Sequence, residues 1–202
     1  MSHDLSIRDA TPIDTSWIAA FMTGRWQSTM IGGHGALIDA TRLPALIAGD
    51  RAGLATYRIL GEDAELVSID ALPPGRGIGT ALIEALVMRL RPGCKRLWVT
   101  TTNDNLSALR FYQRRGFRLI KVWPGAVDAA RKSIKPSIAE IGQHGIPIHD
   151  EIDLCRTLVD DDVATFRPPW HVSMQNGDER DSDACLSNRG SLRGRVQSCL
   201  HG

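Results

Sequence analysis

Three glycines spaced by two, Gly75, Gly77 and Gly79, stand in the stretch LPPGRGIGTALIEAL, residues 72–86. Downstream, Ile78, Ala81, Leu82, Ala85, Leu86 and Leu90 recur at steps of three and four. That period predicts an amphipathic helix over residues 77–90, ended by Pro92 and Gly93. Upstream, AELVSIDAL (residues 64–72) reads as a strand. The glycines therefore occupy a strand-to-helix turn, where they let the chain turn tightly and bring bare backbone close to a ligand. The first N–H groups of a helix lack intrahelical partners and sit at the positive end of its dipole, so such a turn suits phosphate. Arg76 would add a charge and Thr80 a hydroxyl. The same spacing also serves a turn with no ligand. Two common phosphate loops do not fit: no lysine follows Gly79 as in a P-loop, and Thr80 stands where a dinucleotide fingerprint needs glycine.

The remaining segments set this turn in a mixed fold. Residues 45–48 and 53–60 flank Gly49-Asp50-Arg51, and Gly61-Glu62-Asp63 leads into residues 64–72, which predicts a three-strand antiparallel meander. Residues 5–8 form a short strand candidate. Ile13, Trp17, Ile18, Phe21, Met22 and Trp26 predict a helix over 13–26, and Gly32-Gly33-His34-Gly35 reads as a loop. KRLWVTT, residues 95–101, reads as a central strand. Asp104 or Asn105 caps a helix running to Arg115, Gly116 takes the left-handed position that ends it, and residues 117–122 resume as a strand. The fold class is α/β (α+β), a mixed sheet flanked by helices.

Composition excludes more than it identifies. With 24 Lys+Arg against 23 Asp+Glu the net charge is +1, which offers no strong field toward nucleic acid or an anionic membrane. No run of 18 uncharged apolar residues suggests a membrane span, and the first residues lack the pattern of a signal peptide. Four cysteines without a CxxC pair fit a reduced, cytoplasmic setting. His144 and His149 match no standard zinc spacing, so no metal is expected. Residues 160–202 carry seven acids and five bases and few apolar residues, which predicts a disordered polar tail after a domain of residues 1–159.

Two motifs together resemble the GNAT family of N-acetyltransferases. The family's pyrophosphate loop, Gln/Arg-x-x-Gly-x-Gly/Ala, falls on Pro74, Gly75, Arg76, Gly77, Ile78 and Gly79, with Pro74 in place of the leading Gln or Arg. The stretch TTNDNLSALRFYQRRGF, residues 101–117, is similar to the family's Asn, Ala-x-x-Phe-Tyr and Gly-Phe pattern. The resemblance covers residues 5–158. It implies a GNAT-like acyl-CoA N-acyltransferase fold, acetyl-CoA as acyl donor, and transfer to an amine of a small molecule or peptide. It further implies that Asn105 lies near the coenzyme's pantetheine or phosphates, Tyr112 beside its sulfur, and Thr80 at the end of the loop. Residues 67–71 and 97–101 should splay apart, with Ile69 and Ala71 lending backbone groups to the pantetheine arm.

For such a reaction a base must first take the ammonium proton. Glu65 and Glu151 are the candidates, with Asp70 and Asp150 as rivals. Two-residue alternation puts Glu65 and Ser68 on opposite faces. Tyr112 is the expected acid for the leaving thiolate, and a backbone N–H near residues 69–71 the expected oxyanion donor. His34 and His149 could line the acceptor cleft, although a loop histidine is expected to face water, as are acids at a strand start. Trp26 is the tryptophan expected to touch acceptor, whereas Trp98 and Trp123 are expected to pack. An acetyl-CoA sensor without turnover and a nucleic-acid-associated regulator using RGSLRGR are the rival readings. An exposed last strand would support a homodimer.

Overall fold

A computed structural model describes residues 5–159 and 169–170. The chain divides into two compact units, Met1–Pro169 and Trp170–Gly202. The expectation of a polar tail over 160–202 falls almost wholly outside the described residues.

The first unit is built on a seven-stranded sheet. In chain order the elements are β1 (Ile7–Asp9), α1 (Thr15–Trp26), β2 (Met30–Gly33), β3 (Ala36–Asp39), β4 (Ala45–Ala48), β5 (Gly53–Leu60), β6 (Asp63–Ala71), α2 (Ile78–Leu90), β7 (Arg96–Thr102), α3 (Leu106–Gln113), β8 (Arg118–Trp123), α4 (Ala126–Ser133) and β9 (Glu151–Thr157). The sheet order is β1-β4-β5-β6-β7-β9-β8, and β2 and β3 form a separate hairpin. β6 and β7 run parallel, joined through α2, and the other neighbours are antiparallel. The predicted meander is β4–β5–β6. The last strand, β9, lies inside the sheet and β8 takes the edge, so the expectation of an exposed last strand is corrected.

Alternation sorts the two faces. Leu46, Ala48, Ala55, Tyr57, Leu66, Leu97, Val99 and Leu154 turn toward α2 and α3. Ala45, Ile47 and Leu54 turn toward Ile18 and Met22 of α1. β4 is buried on both faces, which is why ALIA reads as an unbroken apolar run. α2 places Leu82, Ile83 and Leu86 fully inside, each stabilising the fold by roughly 1.5–3 kcal/mol.

α1 is entered through a one-turn 3₁₀ helix, Pro12–Asp14, which the periodicity had merged with it. Asp14 fastens this entry. Its carboxylate accepts two hydrogen bonds from Arg8, at 2.7 and 2.8 Å, and one from the Thr11 N–H at 2.9 Å. The Arg8 hydrogen bond is the largest cause holding its pKa well below the usual carboxylate range. A carboxyl lowered in the folded state stabilises above its unfolded value of about 3.9, and that contribution is lost as pH falls further. Asp14→Asn should therefore lower Tm at pH 7 and shrink the gap to wild type near pH 3; equal Tm values at pH 7 would remove this role.

Two local irregularities depart from the expected pattern. In the β5–β6 ladder Thr56 faces Ser68 but Tyr57 faces Leu66, so Val67 is a bulge. The extra residue shifts the phase of alternation. Glu65 and Ser68 consequently share the α1 face, which corrects their assignment to opposite faces. The glycine cluster at 32–35 is not a loop either. Gly32 and Gly33 end β2, and only His34 and Gly35 turn, at φ +48° and +71°. Positive φ at both turn residues is the type I′ pattern of a two-residue hairpin. Helix α4 has no counterpart in the sequence reading, since Val127 and Ala130 are too few to establish a period.

Candidate active site

The parallel ladder between β6 and β7 begins with Asp63 opposite Arg96 and stops at Leu66 opposite Val99. Beyond that point the strands part. Leu97, Trp98 and Val99 are still paired, so the splay starts at Thr100 and not at Leu97 as expected. The bulge at Val67 marks the same level and bends β6 away. The opening belongs to a cavity of about 720 Å³. It connects the α2–α3 face of the sheet with the α1 and hairpin face.

On the α2–α3 face the cavity is lined by Ile69, Ala71, Pro74, Gly75, Arg76, Gly77, Ile78, Gly79, Thr80, Asn105 and Tyr112. Every expected coenzyme-loop residue is thus brought together. Gly75 and Gly77 adopt φ +81° and +79°, and a Cβ at either would meet nothing within 4 Å. Glycine is needed there for conformation, and the backbone faces open space. Ile78 is buried in the core, so only its N–H can face a ligand. Thr80 Oγ1 accepts from the Arg115 guanidinium, with Nε at 3.1 Å. Asn105 Oδ1 accepts from the Ala108 N–H at 3.0 Å, so this oxygen caps α3. The Ala71 N–H donates to Asp70 Oδ1 at 2.8 Å, which leaves it a poor oxyanion donor.

Sequence reasoning missed the cations on α3 and in the turn that follows it. Ser107, Arg110, Arg114 and Arg115 border a second hollow shared with Gly75 and Thr80. Arg115 also lies 3.6 Å over the Phe111 ring. Burial, followed by repulsion from Arg114, draws the Arg115 pKa down. The clustering of arginines at 110, 114 and 115 was the available signal.

Tyr112 is buried between Phe111 and Phe117, with ring centroids 5.3 and 5.5 Å away. Burial pushes its phenol pKa up, so the hydroxyl stays protonated through neutral pH.

The other face carries the acids. Glu65, Ser68, Thr100, Thr102 and Glu151 line the cavity opposite Trp26, Ile31, Gly32, Gly33 and Ile38. Glu65 is held by Arg58 at 2.5 Å. Burial pushes the Glu65 pKa up, and attraction from Arg58 and His34 does not cancel it. Glu151 Oε2 accepts from the His34 N–H at 3.0 Å. Behind it lies Asp153, fully buried, accepting from Thr100 at 2.8 Å and from the Trp123 indole at 2.6 Å. Burial alone would raise Asp153, but hydrogen bonds from His34, Trp123 and Thr100 outweigh it and hold its pKa low.

Several expectations change here. Acids at a strand start were expected to face water, but the base candidate Glu151 and its neighbour Asp153 are buried because β9 is an inner strand. The His34 side chain is buried and does not face water. Trp123 donates to Asp153 as well as packing. Among the rivals, Asp70 is tied to Arg25 at 2.8 Å, and Asp150 accepts from the Gly125 N–H at 2.9 Å. His149 pairs with Asp128 at 2.8 Å and does not line the cavity.

Comparison with known proteins gives a consistent picture. A profile described as the acetyltransferase (GNAT) family matches residues 18–117. YxbD of Bacillus subtilis (strain 168), an uncharacterized protein, is 39% identical over 138 residues, covering 67% of this chain and 80% of that one. YdhI of the same organism, also uncharacterized, is 42% identical over 106 residues, 52% of this chain and 66% of its own length. Among solved structures, a Bacillus subtilis acetyltransferase in complex with CoA superposes with a TM-score of 0.56 at 18% identity, covering 77% of this chain and 99% of that one. At that identity the likeness concerns the fold.

Proposed function

We propose that this chain, which belongs to the acetyltransferase (GNAT) family, moves an acetyl group from acetyl-CoA to an amine of a small molecule or peptide by direct attack in a ternary complex. The observation that carries the reading is the parting of β6 and β7, with an anion-binding turn at one side and a buried acidic wall at the other.

The residues present fit the donor. The N–H groups at the start of α2, the open backbone of Gly75 and Gly77, and the guanidinium of Arg115 suit a pyrophosphate. Arg110 and Arg114 extend positive charge toward a further phosphate. These cations offset the departure at Pro74, which lacks the side chain of the family's Gln or Arg. An anion would also relieve the mutual repulsion of Arg114 and Arg115. The free backbone edges of β6 after Leu66 and β7 after Val99 suit the peptide-like pantetheine arm, which would lie between them as an added strand.

The chemistry follows from what the two faces supply. A typical ammonium has a pKa of about 10 and must lose a proton before its nitrogen can attack. Glu65 and Glu151 lie within the acceptor wall for that purpose. Tyr112 stands on the donor side with its hydroxyl protonated, suited to give a proton to the departing thiolate. Trp26, Ile31 and Ile38 supply apolar surface for the acceptor's body.

Adding acetyl-CoA at about 100 times its Kd should stabilise the fold by roughly 2.7 kcal/mol, read as a rise in Tm. No shift at saturation would overturn the reading. Thiol release with a panel of amines then separates turnover from mere binding.

A further inference from the structure

His34 occupies the first position of the β2–β3 turn, where Asn-Gly would serve the type I′ geometry better. Its ring is 3% exposed. Nε2 lies 2.7 Å from Thr100 Oγ1 and 3.1 Å from Asp153 Oδ1. The Thr100 hydroxyl donates its proton to that same Asp153 oxygen at 2.8 Å. Thr100 can then only accept from the ring, so Nε2 carries hydrogen in either charge state. Nδ1 is then the nitrogen left to accept a proton, and it faces Glu151 Oε2 at 3.5 Å. Charged and polar groups reach this ring from every neighbouring strand. They are Glu65 of β6 with its partner Arg58 of β5, Thr100 of β7, Trp123 of β8 with Lys121 over its face, and Glu151 and Asp153 of β9.

We infer that His34 is a positioning residue for deprotonating the acceptor: with Nε2–H pinned by Asp153 and Thr100, its Nδ1 backs Glu151, the carboxylate that takes the ammonium proton. This rests on the acetyltransferase reading and selects Glu151 over Glu65, whose carboxylate is committed to Arg58. One N–H bond of the ammonium breaks and an O–H bond forms on Glu151. The proton then passes to Nδ1, leaving Glu151 ionised again and a neutral amine in the cavity. The imidazolium is offset by Asp153 until the proton returns to solvent. A sequence motif could not show this, because the hairpin, β7 and β9 meet only in three dimensions.

The test uses the full chain with acetyl-CoA and the amine giving the highest rate. His34→Asn suits the turn and cannot accept a proton from Glu151. It should keep the acetyl-CoA-induced rise in Tm and change the amine KM little. Its kcat should fall about tenfold, below the range for direct acid–base groups, and the acid limb of the kcat–pH profile should shift. Unchanged kcat and acid limb, or a rise in amine KM alone, would overturn the assignment in favour of a pinning role. A readout independent of turnover is ¹⁵N NMR of the imidazole in wild type and Asp153→Asn. Wild type should retain Nε2–H across the titration, and Asp153→Asn should weaken that preference. A stable Nδ1–H tautomer in wild type would sink the proposal even if His34→Asn fails to fold. Lack of turnover with every amine, beside the expected tautomer, would count against the enzyme reading and not against the ring geometry.

Discussion

Tyr112→Phe should lower kcat by about 10²-fold or more while the acetyl-CoA-induced rise in Tm persists. The ring contacts to Phe111 and Phe117 survive the change, so α3 stays docked. What disappears is one hydroxyl on the donor side of the cavity. Burial keeps the phenol protonated, so under the proposed mechanism it would give up its proton only as negative charge develops on sulfur. The loss should therefore fall on kcat and leave the KM for acetyl-CoA nearly unchanged. Full turnover across the pH range would show that another donor, or water, protonates the thiolate.

Trp98→Ala should cost about 3–5 kcal/mol of stability, read by denaturant unfolding. Trp98 is fully buried in the middle of β7, with Glu65 of β6 on one side and Cys155 of β9 on the other. Truncation would leave a cavity below carboxylates that depend on a dry surrounding. Water entering there should also return Glu65 toward its ordinary pKa, because burial is the largest cause of its shift. A loss under 1 kcal/mol would mean that the sheet collapses onto the gap. The expectation that Trp98 packs was right in kind, although it underlies the acidic wall as well as the core.

The legible and illegible parts of the site differ in range. The strand–glycine turn–helix unit was readable because each of its requirements is local. Positive φ at Gly75 and Gly77, the apolar stripe of α2 and the Asn105 cap of α3 all lie within a few residues of their cause. The same holds for the β4–β5–β6 meander, whose Gly/Asp turns announce it. Face assignment was less secure. Alternation is a counting rule, and one uncounted residue at Val67 reversed everything between it and the strand start. Nothing about a valine in AELVSIDAL announces a bulge. Glu65 and Glu151 were expected as base candidates, but the burial of the acids on β9 was not legible, for another reason. Glu151 and Asp153 resemble solvent-facing acids until β8 covers the flank of β9.

The sequence alone thus determined the fold class, the glycine turn and the helix that follows it, since neighbours in the chain set those by backbone conformation and hydrophobic period. Only the tertiary structure decided where β6 and β7 part, that Glu65 shares a face with Ser68, and that the apex of a glycine-rich hairpin lies against Asp153. Those arrangements depend on contacts between residues as many as 119 positions apart in the chain, His34 and Asp153 among them, and burial rather than spacing gives their charges meaning.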